Sequence, residues 1–425
     1  MSERGGKDGK NGRPGAGTPF RHRNFSWYFT GQLLSNTGVW FQNLALQLVV
    51  LGATGSAQAL SGITIAQFLP IFLLGLPAGR LMEHVAPRTV LLVTSLASAV
   101  ATAGLVFVID EDPELSVLYG IVGALGTIQA FERVAAQTII FELVGPDGLS
   151  RAASISTIAL AAARSVGPAL AGLAFQGLGA GPCILINASA YLLVFLSRCR
   201  IRPSALHARS GQGHDDGPPG TDDRPGARSS GPGDPMESAQ TAFRRSRDVN
   251  TLLVVNVVVS LLAMNFGLVL TSTVNLPYDG DAAAVGAVHT LNAVGAVAGG
   301  VFAARRARVS VRSLVLATAV FGAALAVNAA APTLTLFLVA APALGIGLGY
   351  YQGIVNAAAQ ESVPPRFIGR MMSWVTLGSY GMVPFGALAM GWVIDASSGR
   401  VALGVSAVSV LACAVLVRLR SRPRP

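Results

Sequence analysis

The sequence predicts an all-α membrane protein whose twelve transmembrane helices form two pseudo-symmetric bundles of six. The first indication is composition, because the 425-residue chain is 52% hydrophobic and only 12% charged, unlike a soluble domain. The second is an internal repeat, in which a gapless offset of 219 positions places residues 142–172 on residues 361–391 with eight identities in 31 positions. A repeat at half the chain length is typical of transporters built from two homologous halves. The identities pair Glu142, Val144, Pro146, Arg151, Ser154, Thr157, Gly167 and Gly172 with Glu361, Val363, Pro365, Arg370, Ser373, Thr376, Gly386 and Gly391.

Twelve stretches satisfy the requirement of about 20 largely apolar residues for a membrane crossing, and we number them as spans 1 to 12. Span 1 follows a long polar segment and is expected to be retained, not removed as a signal peptide. The predicted spans are residues 27–51, 59–79, 89–109, 116–140, 150–175, 181–198, 249–272, 282–304, 311–331, 334–358, 370–393 and 401–418.

The composition of the chain between the spans predicts its domain organisation. Residues 203–247 are rich in Gly, Pro, Ser, Asp and Arg, so we expect a flexible linker between two six-helix bundles, residues 19–202 and 248–420. Residues 1–18 are predicted to be a disordered tail, and residues 421–425 a second short tail.

Arginine and lysine predict the orientation, because short cytoplasmic loops retain positive charge. Basic residues occupy both tails and every second connection, whereas the intervening loops hold acidic residues or no charge, with Arg400 as their only basic residue. Both termini are therefore expected in the cytoplasm.

The net charge of +10 is spread over these loops without a basic stripe. This distribution argues against nucleic-acid binding and is compatible with contact to anionic lipid.

Motifs for nucleotide, metal or nucleophile chemistry are absent from the sequence. The chain has only two lysines, both in the N-terminal tail, and no phosphate-binding loop, which excludes an ATP-driven pump. No metal-ligand cluster or catalytic triad is recognisable, and the three cysteines do not indicate a disulfide framework. We expect no cofactor and no enzymatic activity.

Several short motifs in order carry a resemblance to a known family. They are Phe20-Arg21-His22-Arg23-Asn24-Phe25, Gly31-Gln32-Leu33-Leu34-Ser35, Thr54-Gly55-Ser56, Gln67-Phe68-Leu69-Pro70 and Pro364-Pro365-Arg366-Phe367-Ile368-Gly369-Arg370. From Phe20 to about Arg418, excluding the linker, the chain resembles a member of the major facilitator superfamily. Within it, the chain is most similar to the drug- and siderophore-exporter branch called transmembrane secretion effectors. The resemblance implies the major facilitator fold and a bacterial inner membrane.

Two further segments resemble superfamily motifs in degenerate form. Gly79, Glu83 and Arg88 stand at places of the gate motif between helices 2 and 3, where a carboxylate and guanidinium groups can latch the cytoplasmic gate. The alternative is a solvated loop whose charges only set topology. Gly167, Pro168 and Gly172 resemble the exporter motif of helix 5 and modestly favour export, although small residues also serve ordinary helix packing.

Charged residues inside the predicted spans are functional candidates, because burying them in a bilayer is costly. Glu132 in span 4 and Arg164 in span 5 fall at similar predicted depths, and we expect them to form a buried cluster with Arg133. Such a carboxylate could couple transport to protons. The alternative is a static ion pair that fixes helix packing. His289 is expected to be a packed or wetted histidine, and Asp395 to be solvated.

Polar residues recur on one face of span 1 and must point away from lipid. The resemblance implies that helices 1, 4, 7 and 10 line a central cavity, and polar or aromatic residues are available on all four. The expected cavity residues are Gln32, Asn36, Trp40, Asn43, Gln47, Phe131, Asn256, Ser260, Tyr351, Gln352 and Asn356. This uncharged lining suits a medium-sized amphipathic organic molecule.

The function that these features predict is proton-coupled export of a drug, a siderophore or a self-made metabolite by a monomer. Its expected partners are the small-molecule substrate, protons and membrane lipids. An importer or uniporter on the same fold is the first alternative. A non-transporting membrane sensor or assembly partner is the second. Fold alone does not choose the substrate.

Overall fold

The computed structural model describes residues 23–109, 113–201, 247–306, 310–363 and 368–420, and all regular elements in these ranges are α-helices. The first half contains Arg23–Thr54, Ala57–His84, Pro87–Leu105, Leu115–Leu178 and Ala180–Cys199. The second half contains Arg247–Ala263, Phe266–Asn275, Ala282–Ala304, Val311–Ala330, Leu334–Glu361, Ile368–Tyr380, Val383–Ala396 and Gly399–Arg420. Residues 203–246 of the predicted linker and both predicted tails lie outside the described residues.

The described helices correspond to the twelve predicted spans, arranged as two bundles of six, so the predicted fold class is confirmed. Ten of the described helical segments are long and apolar enough to cross a membrane. Span 7 is interrupted at Met264–Asn265 and span 11 at Gly381–Met382. Each therefore consists of two consecutive helices.

Spans 4 and 5 are two arms of one helical stretch, Leu115–Leu178. Tyr28 donates a hydrogen bond to the carbonyl oxygen of Ala136 on the first arm. Gly167, on the second arm, lies against Trp40, which is twelve residues beyond Tyr28 on span 1. The chain therefore passes one end of span 1 and then returns toward its other end, so the two arms run in opposite directions.

Because the number of crossings is even, span 1 begins and span 12 ends on one side, which we call the terminal face. The opposite side is the distal face. At the distal face Gly55 adopts a φ of 60°, which permits the tight turn from span 1 into span 2. Ser56 and Asp281 cap the helices of spans 2 and 8 there, since each side chain accepts from a backbone amide three residues ahead.

The two halves meet along two seams, one between spans 5 and 8 and the other between spans 2 and 11. Gly172 of span 5 lies against Ala282 and Gly286 of span 8. Gly391 of span 11, which the 219-residue offset pairs with Gly172, lies against Ala57 and Ser61 of span 2. Each seam is thus closed near the distal face by a glycine that lets helices approach closely.

Candidate functional site

A cavity of about 470 Å³ lies between the two halves. Spans 1, 2, 7, 10 and 11 contribute its walls, and every lining residue is uncharged. Amide, hydroxyl and thioether groups alternate there with the rings of Trp40, Phe68, Tyr351 and Tyr380. Such a surface can hold an apolar body and hydrogen-bond a few polar groups on it.

The cavity brings together seven of the eleven residues expected from the sequence. These are Trp40, Asn43, Gln47, Asn256, Tyr351, Gln352 and Asn356. The other four lie elsewhere, because Gln32 and Asn36 bond to each other nearer the terminal face, Ser260 is fully buried and Phe131 packs with the cluster around Tyr28. The spacing on span 1 gave the right face but not the height of the cavity.

Sequence reasoning missed the contribution of spans 2 and 11. Span 2 adds Thr64, Gln67 and Phe68, and span 11 adds Thr376, Ser379 and Tyr380 among others. Thr64 and Gln67 are three residues apart in an apolar helix, which is a usable signal of an inward face. Ser379 and Tyr380 immediately precede the break in span 11, which no local pattern identified as part of the cavity.

Glu132 forms its ion pair with Arg198 of span 6, not with Arg164 as expected. The distance from the Arg198 Nη2 to the Glu132 Oε1 is 2.7 Å, and the two side chains are 2% and 14% exposed. Arg198 Nη1 also donates to the Leu91 carbonyl at 3.0 Å and to the Ser95 hydroxyl. The pair thus joins spans 3, 4 and 6 within the first half. Depth along a helix was predictable from counting residues, but the direction in which each side chain points was not.

The other two members of the expected cluster lie apart from this pair. Arg133 is exposed, and its guanidinium carbon lies 5.5 Å from the ring centroid of Tyr380, a cavity residue of the second half. Arg164 is also exposed. It precedes Pro168 and Gly172 by four and eight residues, so it shares the helix face that forms the seam with span 8.

The residues of the expected exporter motif in span 5 lie at the boundary of the two halves. A Cβ added to Gly167 would come within 2.5 Å of Cδ1 of Trp40. One added to Gly286 of span 8 would come within 2.5 Å of the Pro168 carbonyl oxygen, and one added to Gly172 within 2.5 Å of the Ala282 carbonyl oxygen. These positions therefore hold span 5 against both a cavity wall and the opposite half.

Polar contacts across both seams seal the distal face. Asp395 is exposed yet is not merely solvated as expected, because it accepts from the Ser56 hydroxyl at 2.5 Å and from the backbone amides of Ala57 and Gln58 at 2.6 and 3.0 Å. At the other seam, Gln176 donates to Asp281 at 2.9 Å. Gln176 and Asp395 are themselves related by the 219-residue offset. The carboxylate of Asp395 also lies at a helix N-terminus, where the helix dipole favours negative charge.

A buried polar network lies above the cavity, toward the distal face. Thr271 donates to the Oε1 of Gln47 at 2.6 Å, and its oxygen is 3.1 Å from the Nε2 of His289. The His289 ring centroid lies 5.9 Å from that of Trp40. Trp40 and Gln47 belong to the first half, whereas Thr271 and His289 belong to the second. This network therefore joins the two halves through side chains that include two cavity residues.

In the expected gate motif, Arg88 bonds to the end of span 6 and not to a carboxylate of the motif. Arg88 donates from Nε to the carbonyl of Ile201 at 3.1 Å and from Nη2 to that of Cys199 at 3.4 Å, so it caps the end of span 6 in its own half. Gly79 is half-buried, and the side chain of Glu83 lies outside the described residues.

Comparison with known proteins agrees with this architecture. Residues 15–212 match the family model described as transmembrane secretion effector, and residues 252–425 match the model of the major facilitator superfamily. No curated protein sequence matches the chain.

Solved structures of transporters share the fold over nearly the whole chain. A bacterial homologue of the iron transporter ferroportin in its inward-facing state has a TM-score of 0.67 at 15% identity, over 94% of this chain and 99% of that one. A POT family transporter in complex with a thioalcohol-conjugated peptide has a TM-score of 0.71 at 9% identity, over 94% and 96%. A bacterial homologue of the human lysosomal transporter Spinster has a TM-score of 0.62 at 14% identity, over 93% and 95%. With both halves matched and this fold around a central cavity, the chain belongs to the major facilitator superfamily and is a multi-pass membrane transporter.

Proposed function

We propose that this transporter exports a medium-sized amphipathic organic molecule in exchange for protons. The observation that carries the proposal is the uncharged, partly aromatic cavity between two homologous halves, sealed at the distal face by paired seams. A site at the boundary of two halves can be exposed to either side in turn when the halves rock against each other. A drug, a siderophore or a self-made metabolite fits this description.

The direction of transport is proposed from the charge distribution and from the family of the first half. The basic loops and tails favour a cytoplasmic location for the terminal face, and the family resemblance implies a bacterial cell. Substrate then enters the cavity from the cytoplasm, and it leaves when the distal seams part. The match of residues 15–212 to transmembrane secretion effectors favours this direction over import.

Arg133 narrows the class of substrate further. It lies beside Tyr380 at the cavity wall, while the neighbouring Glu132 is already paired with Arg198. Arg133 does not line the cavity itself, but from its place beside Tyr380 its guanidinium group can form a charge-assisted hydrogen bond with a carboxylate of a bound molecule. The proposed substrate therefore carries an anionic group at one end of an apolar body.

Everted membrane vesicles test both the direction and the coupling. Pyrenebutyrate is a suitable probe because it joins an apolar aromatic body to a carboxylate. Vesicles with an acidic interior passively exclude a weak acid, so accumulation of pyrenebutyrate there requires proton-driven export through the protein. Collapse of the pH gradient should abolish accumulation. Accumulation only in right-side-out vesicles would instead support an importer, and pyrenebutyrate flux that ignores the gradient would support a uniporter.

A further inference from the structure

We infer that His289 is the proton-binding site of the transport cycle, an inference that rests on the proposed export function. The network that His289 forms with Thr271 and Gln47 couples its protonation to the opening of the distal seam. Neither the gate motif nor the buried pair of Glu132 and Arg198 contributes to this site.

The donors and acceptors in the network fix the state of the imidazole. The Thr271 hydroxyl has a single proton, and it uses that proton on the Oε1 of Gln47, which can only accept. His289 must then donate its Nε2 proton to the Thr271 oxygen across 3.1 Å. The neutral histidine is therefore the Nε2-protonated tautomer, and Nδ1 is the nitrogen left to bind a further proton.

The position of the network makes protonation sensitive to the conformation of the transporter. His289 is seven residues from the distal start of its helix, about 10 Å along the axis. Gln47 on the opposite half is seven residues from the distal end of span 1. The link therefore crosses between the halves just under the distal face, and it must break when the halves part there.

Charged groups that could stabilise an imidazolium are remote from this position. Span 1 presents Trp40 and Gln47, span 7 presents Thr271, and span 5 approaches span 8 through Pro168 and Gly172. Span 10 meets span 8 beyond His289 through Pro342 and Gly345. On the described parts of these helices, the nearest carboxylate along span 8 is Asp281, eight residues or about 12 Å from His289. Arg164, one turn before Pro168, lies on the face of span 5 toward span 8, and its positive charge opposes an imidazolium.

These surroundings favour protonation of His289 only when the distal seam is open. In the closed state an imidazolium at His289 would be buried without a carboxylate partner, which is costly, and the face of Trp40 offsets only part of that cost. Parting of the distal seam admits water and removes the penalty. A proton arriving from the distal side thus binds Nδ1 when the seam is open, and closure of the seam expels it toward the cavity past Gln47.

The test measures the distal seam across pH 8 to 5 with a pair of spin labels at Ala53 and Ser397, both exposed, in a Cys199→Ser background. In the otherwise unaltered protein, the ratio of the open to the closed population, read from the distance distribution, should rise as pH falls. For one coupled proton the rise is up to about tenfold per pH unit. His289→Gln should remove this response. His214→Gln, in the predicted linker, is the matched control and should leave it unchanged.

Two results separate the failure of this inference from failure of the proposed function. If the seam opens but His289→Gln follows pH like the unaltered protein, His289 is not the proton site, although alternating access stands. A seam that never opens, even with saturating pyrenebutyrate, contradicts the transport mechanism itself.

A second measurement covers the case in which His289→Gln does not fold. The imidazole ¹³Cε1 resonance of His289 should titrate in the unaltered protein and lose that titration when the distal seam is cross-linked shut. Identical titration in both forms would overturn the inference.

Discussion

The backbone amide of Ala57 in the first half donates a 2.6 Å hydrogen bond to Oδ1 of Asp395 in the second half. With the Ser56 hydroxyl and the Gln58 amide also donating to Asp395, a carboxylate of one half completes the helix N-terminus of the other. Because helix ends leave amides without intrahelical partners, parting of the halves must expose these groups to water. The closed distal face is therefore held by contacts that water can replace, as a reversible gate requires.

Replacing Asp395 should loosen the distal seam. Asp395→Asn removes the negative charge from the helix N-terminus, a loss of about 1 kcal/mol, which raises the ratio of open to closed seam about fivefold. Spin-label distances across the seam measure this ratio. Asp279→Asn is the matched control, because Asp279 is also exposed at the distal face but is not the carboxylate that accepts from the Ala57 amide. An equal shift in both variants would mean that general surface charge, and not the contacts of Asp395 with the start of span 2, sets the ratio of open to closed seam.

Gly172 should not tolerate a side chain. An added Cβ would lie 2.5 Å from the Ala282 carbonyl oxygen, so Gly172→Ala forces spans 5 and 8 apart and costs about 1 to 3 kcal/mol in the closed state. We expect the closed population to fall by about fivefold or more. Gly177→Ala on the same span has open space for its Cβ and serves as the control. Unchanged seam distances in Gly172→Ala would show that this close approach is not needed for closure.

The ion pair of Glu132 and Arg198 is expected to support the fold of the first half. Glu132→Gln leaves a 2%-exposed guanidinium without its counter-charge, and we expect a loss of about 3 to 5 kcal/mol of stability. Thermal unfolding in detergent checks this, with exposed Glu114→Gln as the control. Replacing both partners with leucine should recover much of the loss. A stable Glu132→Gln protein that has lost only proton-driven transport would instead assign the coupling role to Glu132.

Arg133 should contribute to affinity only for anionic ligands. Loss of one charge-assisted hydrogen bond in Arg133→Gln should weaken pyrenebutyrate binding about tenfold while leaving its uncharged amide unaffected. Energy transfer to pyrene from tryptophan, including Trp40 in the cavity wall, reports binding directly. Arg305→Gln, an exposed arginine at the terminal end of span 8, is the control. Equal weakening for acid and amide, or no binding of either, would contradict the proposed substrate class.

The parts of this structure that local pattern determines were predictable from the sequence. Apolar length identified the spans, and the repeat identified two homologous halves. The three- and four-residue spacing of Trp40, Asn43 and Gln47 identified the inward face of span 1. Each of these signals lies within a single segment or in the comparison of two segments.

The contacts that join distant segments were not predictable in the same way. Arg198 of span 6 lies 66 residues from Glu132, and helix periodicity does not say which of two neighbouring helices a side chain faces. Asp395 reaches Ala57 across 338 residues, and its role depends on the register between two halves. His289 showed no sequence pattern at all, because its significance lies in Thr271 and Gln47, which only the fold brings together.

A reversible cross-link at the distal seam tests alternating access most directly. Ser56→Cys with Asp395→Cys replaces two side chains that touch in the closed state, and a protease site in the 203–247 linker lets a gel show whether the halves are joined. Oxidation should stop the uptake of pyrenebutyrate into everted vesicles, and dithiothreitol should restore it. Undiminished uptake through fully cross-linked protein would show that the halves need not part at the distal face, and would contradict the mechanism.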